Sequence, residues 1–381
     1  MNYRLHAFGF MALDILSKDS TTKTSGNYGL MDIIASLKWV KQHIAFFGGN
    51  PDEVTIFGQG SGAGNIYALL ASRLSNGLFH RAWLSSAAPV ITKTTAAASR
   101  DNQRFLNSTG CPSVACLRQL NAKQITLAVP WYEVPSWSFQ NMLDLPNEME
   151  SLAAKVVIDG YVLKEEPMET WLERGRIDVP LLIGSTAQEI DFFPAPRDIR
   201  YSTKDYYIEY ITSKLSSFDD DVLRTALMLY KTNKSPEYQF TTMVTDVRLT
   251  CATDKLATAA ALNFRSPVFR YVVTFSPSVP SNGMGYDYSA SYAFHGADSL
   301  AFFGSLEESM DSFSESDAAF QRNLKTAVLS FVKSGKPQAC WKPFPQTTAL
   351  LNHDITVTYA YHVRQCQFWS ENGLLKYGWI N

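Results

Sequence analysis

The chain has 381 residues and a net charge of −2, with 46% hydrophobic and 18% charged residues. That length can bury a large core in one α/β domain, and so balanced a charge argues against a nucleic-acid partner or a polybasic membrane surface. No apolar run is long enough to span a bilayer, and none of the five cysteines stands in a C-x-x-C or Cys/His spacing, so neither metal nor cofactor is expected.

Met1-Asn2-Tyr3-Arg4 runs straight into Leu5 to Phe10, which reads as structured chain rather than a charged leader. Gly26-Asn27-Tyr28-Gly29 reads as a turn. From Leu30 to His43 the spacing is helical: Leu30, Ile33, Ile34, Leu37, Val40 and Ile44 share a face, with Asp32 in the first turn. Phe47-Gly48-Gly49-Asn50-Pro51 stops it. Val54 to Phe57 is a short β-branched and aromatic run, suited to a buried strand. Gly58-Gln59-Gly60-Ser61-Gly62-Ala63-Gly64 follows as a glycine turn, then a helix through Ile66, Leu69, Leu70 and Leu74, then a strand from Phe79 to Ser86. Further strands are expected at Pro180–Gly184 and Val268–Phe275. Residues 200–265 are mostly helical in pattern, and 317–334 form an amphipathic helix ending at Gly335-Lys336-Pro337. The alternation predicts one α/β domain with a mostly parallel sheet.

A glycine turn between strand and helix has two functional readings. It can bind phosphate at a helix N-terminus, or it can be a nucleophile elbow, G-x-S-x-G, that lifts a serine off the sheet. The phosphate reading fails on detail. No lysine follows as a P-loop needs, and Gly58-x-Gly60-x-Gly62 lacks the dinucleotide spacing. A turn that merely needs small residues is the bland alternative.

The flanks decide. Asn2-Tyr3-Arg4, Gly26 to Asp32, Trp39-Val40, Phe47 to Pro51, Val54 to Gly58 and Gly77-Leu78-Phe79-His80-Arg81-Ala82 together resemble the type-B carboxylesterase and cholinesterase family. The resemblance implies the α/β-hydrolase fold, whose elbow in this family is Phe-Gly-Glu-Ser-Ala-Gly. Here that stretch is Phe57-Gly58-Gln59-Gly60-Ser61-Gly62, with no insertion needed back to Gly48 or forward to Phe79. Gly60 therefore takes the nucleophile position. Ser61 is flanked two residues away by Gln59 and Ala63 rather than glycines. The resemblance assigns it a backbone N–H in the oxyanion hole, not the nucleophile role. By the same likeness Ile183 to Glu189 places Glu189 as the triad acid, with Ile190 where glycine is usual. Phe294-His295-Gly296 with Phe302-Phe303-Gly304 places His295 as the base.

The resemblance further pairs Cys111 with Cys116 and Cys251 with Cys366, leaving Cys340 over. Disulfides and the sequons at Asn107 and Asn233 fit a secretory or extracellular setting. It also implies that a signal peptide, the first strands and the family's His-Gly-Gly oxyanion loop lie upstream, so the sequence is expected to be an N-terminal truncation. Without a hydroxyl at residue 60 no acyl-enzyme forms. The expectation is an inactive, neuroligin-like member used for extracellular recognition, with a protein partner or a small apolar ester-like ligand, and with a homodimer admitted. The alternative is an ester hydrolase in which Gly60 is an engineered change or a sequence error.

Overall fold

The protein is described here from a computed structural model covering residues 1–130, 142–147, 155–173, 177–193, 199, 203–283, 285, 288–338 and 340–379. Six strands form one sheet: β1 (Thr55–Gln59), β2 (Arg81–Ser85), β3 (Leu181–Thr186), β4 (Val268–Val273), β5 (Thr348–Leu351) and β6 (Ile355–Thr358). They lie in chain order, parallel from β1 to β5, with β6 antiparallel at the far edge. The helices that matter below are α1 (Tyr28–His43), α2 (Ser61–Ala71), α3 (Lys204–Leu215), α4 (Asp220–Leu229), α5 (Pro236–Thr245), α6 (Cys251–Asn263), α7 (Ala297–Phe303), α8 (Glu315–Ser334) and α9 (Val363–Glu371).

Strand periodicity divides the core. Ala82, Leu84, Leu181, Ile183 and Val268 face one layer, packed with Leu30, Ile34 and Leu37 of α1 and Ile66, Leu69 and Leu70 of α2. Trp83, Leu182, Phe269 and Tyr271 face the other, packed with α3, α5 and α8. Each fully buried aliphatic side chain contributes ~1.5–3 kcal/mol.

Two expected turns are shorter than the sequence suggests. Asn27 is buried and spends its side chain on Val157, donating to the carbonyl at 2.7 Å and accepting from the N–H at 3.1 Å. It therefore starts α1 at Tyr28 rather than extending a turn to Gly29. The glycine turn also contracts, because β1 continues through Gly58 and Gln59 in register with Leu84 and Ser85. Only Gly60 remains between strand and helix, and Gly62 and Gly64 lie inside α2. Among residues 203–265 the expected helical pattern is realised as α3 to α6, with a π-helical turn at Asp246–Thr250. Ser314 and Asp317 cap α8 reciprocally, which moves its start back to Glu315.

Two disulfides close the loops 111–116 and 251–366, and Cys340 is an exposed thiol. Beside the second bridge, His362 Nδ1 lies 2.7 Å from Asp246 Oδ2, which also accepts from Tyr230 at 2.7 Å. Burial pulls the His362 pKa down, but the charge and hydrogen bond of Asp246 outweigh it and leave the value raised. A raised histidine stabilises fully below its unfolded value of about 6.5 and loses that contribution as pH rises through the folded value. The urea midpoint should therefore fall as pH rises above 6.5, and His362→Gln should flatten that slope; an equal slope in the variant would refute the assignment.

Candidate active site

The sequence-predicted residues meet at the carboxyl ends of the strands, where open α/β sheets place their sites. Gly60 follows β1 with φ +59° and ψ −122°. Its N–H donates to the Ser85 carbonyl at 2.9 Å, and its own carbonyl accepts from Gly64 N–H at 3.0 Å as the first bond of α2. A side chain in this backbone region stores strain of about 1–3 kcal/mol; glycine adopts it freely. A Cβ built at residue 60 would lie 3.0 Å from His295 Nε2 and 3.5 Å from its Cε1. Residue 60, which the family resemblance makes the nucleophile position, thus faces the imidazole and carries no side chain.

Glu189 follows β3 and is fully buried. One oxygen accepts from Ser86 Oγ and from the Thr186 N–H, each at 2.6 Å. The other is 2.6 Å from His295 Nδ1. His295 is 9% exposed, with Phe192 5.6 Å away and the Trp379 ring edge-on at 5.1 Å. Ser61 opens α2 and is exposed, its backbone in the first turn where helix N–H groups point outward. Asn107 and Asn233 are both exposed.

The turn carrying Glu189 grips the histidine loop on both sides of the dyad. Gln188 exchanges hydrogen bonds with Ala293, its N–H donating at 3.1 Å and its side-chain oxygen accepting at 3.3 Å. Asp191 accepts from the Ser291 and Tyr292 N–H groups at 2.8 and 2.7 Å and from Tyr288 OH at 2.7 Å. Burial pushes the Asp191 carboxyl up to about 6 against these donors. Below the dyad, Asp298 accepts from Ser85 Oγ at 2.7 Å and from Tyr271 OH, and burial raises its pKa. Among the described residues there is no cluster of three or more His, Cys, Asp or Glu suited to a metal ion, and no helix long and apolar enough to cross a membrane.

Sequence reasoning missed four participants. Gln59 Nε2 lies 2.6 Å from His295 Nε2. Ser86, at φ +53° just past β2, supports Glu189. Asp191 anchors the histidine loop, and Trp379 covers the ring. A polar Ser85-Ser86 pair at the carboxyl end of a parallel strand was a usable signal for the second; nothing local marks Trp379.

A glycine elbow after β1, a buried glutamate after β3 and a histidine after β4 come together on an α/β-hydrolase fold. The chain belongs to the carboxylesterase family: its residues 1–369 match that family's profile. It is similar to neurotactin of Drosophila melanogaster, 37% identical over 197 residues, covering 49% of this chain and 22% of that protein. It is also similar to fumonisin B1 esterase of Sphingopyxis macrogoltabida, 28% identical over 350 residues, covering 88% of this chain and 59% of that protein. A solved PNB esterase superposes with a TM-score of 0.73 at 27% identity, covering 97% of this chain and 73% of that one. The chain thus spans less than two thirds of the length of the first two relatives.

Proposed function

We propose that this chain binds rather than hydrolyses, acting as a non-catalytic carboxylesterase-family protein in extracellular recognition or ligand capture. The observation that carries the reading is the bare backbone at Gly60, aimed at His295 Nε2 from the nucleophile position. Without an attacking oxygen the imidazole has no proton to remove and no acyl intermediate to form. Removing the nucleophile of a comparable triad costs about 10⁶ in turnover. A water activated by the dyad would need the Nε2 lone pair, and Gln59 stands on it. The two disulfides support a secretory route, and the exposed Asn107 and Asn233 fit glycan acceptors there.

A second reading keeps an ester hydrolase in which residue 60 is serine. The Glu189–His295 contact of 2.6 Å favours it, since the proton relay is assembled. Short-chain acyl esters and an organophosphate probe separate the two. The unaltered chain should show neither turnover nor labelling, and either one would overturn the non-hydrolytic reading. Gly60→Ser should take up the organophosphate weakly, because its Cβ needs the imidazole to yield by a few tenths of an ångström. The same variant should lose about 1–3 kcal/mol of stability to backbone strain.

A further inference from the structure

Resting on the non-hydrolytic reading, we infer that Gln59 has taken the place of the missing hydroxyl, so that Gln59, His295 and Glu189 form a closed tie between the β1 elbow and the acid turn. In this role the histidine is a structural joint shielded from ligand and solvent.

Three observations converge. The first is that the hydrogen bonds account for every polar atom of the ring. Glu189 receives two donors on one oxygen, and its other oxygen accepts from Nδ1. A neutral ring that donates at Nδ1 keeps its lone pair at Nε2, and the Gln59 carboxamide supplies an N–H there at 2.6 Å. This assignment of ring proton and amide orientation follows from the partners. The second is steric. The imidazole stands where a Cβ at residue 60 would be uncomfortably close, so this ring position belongs to a glycine elbow. The third is enclosure. Phe192 and Trp379 pack on the ring, and what remains is 9% exposure. Strand alternation turns Gln59 toward the same face as Phe57, whose ring meets Trp83 at 4.2 Å on the histidine side of the sheet.

Gln59 is a positioning residue, and the test reads the ring itself. The chain has six histidines, few enough for ring-nitrogen resonances to be assigned by substitution. In the unaltered chain His295 should appear as the Nδ1-protonated neutral tautomer. Diethyl pyrocarbonate should modify it more slowly than His353, whose side chain is 56% exposed. Gln59→Ala should raise the rate of modification at His295 about tenfold, the scale set by one lost hydrogen bond. Gln59→Asn, one methylene too short to reach, should do the same and stands in if the alanine variant fails to fold. Gln59→Glu returns an acceptor to a protonated ring and should keep it protected. Unchanged tautomer and rate in both the Ala and Asn variants would overturn the inference, as would modification of His295 as fast as His353 in the unaltered chain. Organophosphate labelling of the unaltered chain, by contrast, sinks the non-hydrolytic reading, so the two failures are told apart.

Discussion

Replacing Cys251 and Cys366 together with alanine should lower unfolding stability by about 5 kcal/mol. The bridge joins residues 115 apart in sequence. In the chain-entropy account, closing a loop of that size removes about 5 kcal/mol of disorder from the unfolded chain, against about 2 kcal/mol for a five-residue loop such as 111–116. Single domains hold only about 5–15 kcal/mol in all, so the larger bridge is a substantial share. Urea unfolding without reductant measures it. Reductant opens both bridges, so it should shift the unaltered chain by about 7 kcal/mol and the double variant only by the roughly 2 kcal/mol of the 111–116 loop. A double variant as stable as the unaltered chain would show that His362–Asp246 and the packing of α9 suffice without the bridge.

Gly184→Ala should cost about 3 kcal/mol or more, at the upper end of what overpacking does. Gly184 pairs with Tyr271 across β3 and β4, and the tyrosine ring lies over it. A Cβ there would fall 1.7 Å from the ring carbon bearing the hydroxyl. The ring has nowhere to go: it is 1% exposed, and its oxygen accepts from Trp83 Nε1 at 2.9 Å while donating to Asp298. Displacing it breaks a buried network directly beneath the candidate site. Adding Tyr271→Leu to Gly184→Ala should recover part of the loss in denaturant midpoint. No recovery would place the strain in the backbone of β3 and not in the ring.

How far the sequence discloses this molecule depends on the distance over which each feature is determined. α1 is legible because Leu30, Ile33, Ile34 and Leu37 repeat within one helix, and β4 because Val268 to Val273 is β-branched and aromatic apart from Arg270. The strand–elbow–helix is legible because Gly60 sits within a few residues of both neighbours. Glu189 and His295 are legible only through family resemblance, since a lone acid and a lone histidine in loops carry no local mark. Of the side chains that complete the site, only Ser86 leaves a local mark, and none of their pairings does. Gln59 meets His295 across 236 positions and Ser86 meets Glu189 across 103. Such pairs exist only once the parallel ladder has set strand register. Asn27 shows the same limit in miniature, as its bond to Val157 overrides the turn that its neighbours suggest.

The edge-on tryptophan over His295 has a temporal consequence. The elbow, the acid turn and the histidine loop are all synthesised before the ring that closes over them. That ring is brought in by the Trp379 N–H, which donates to the Arg248 carbonyl at 2.8 Å, and by its indole, which donates to Met142 at 3.0 Å. Arg248 meanwhile holds the carbonyl of Tyr377 at 2.8 Å. A chain that has yet to release residue 379 therefore lacks this cover over the imidazole.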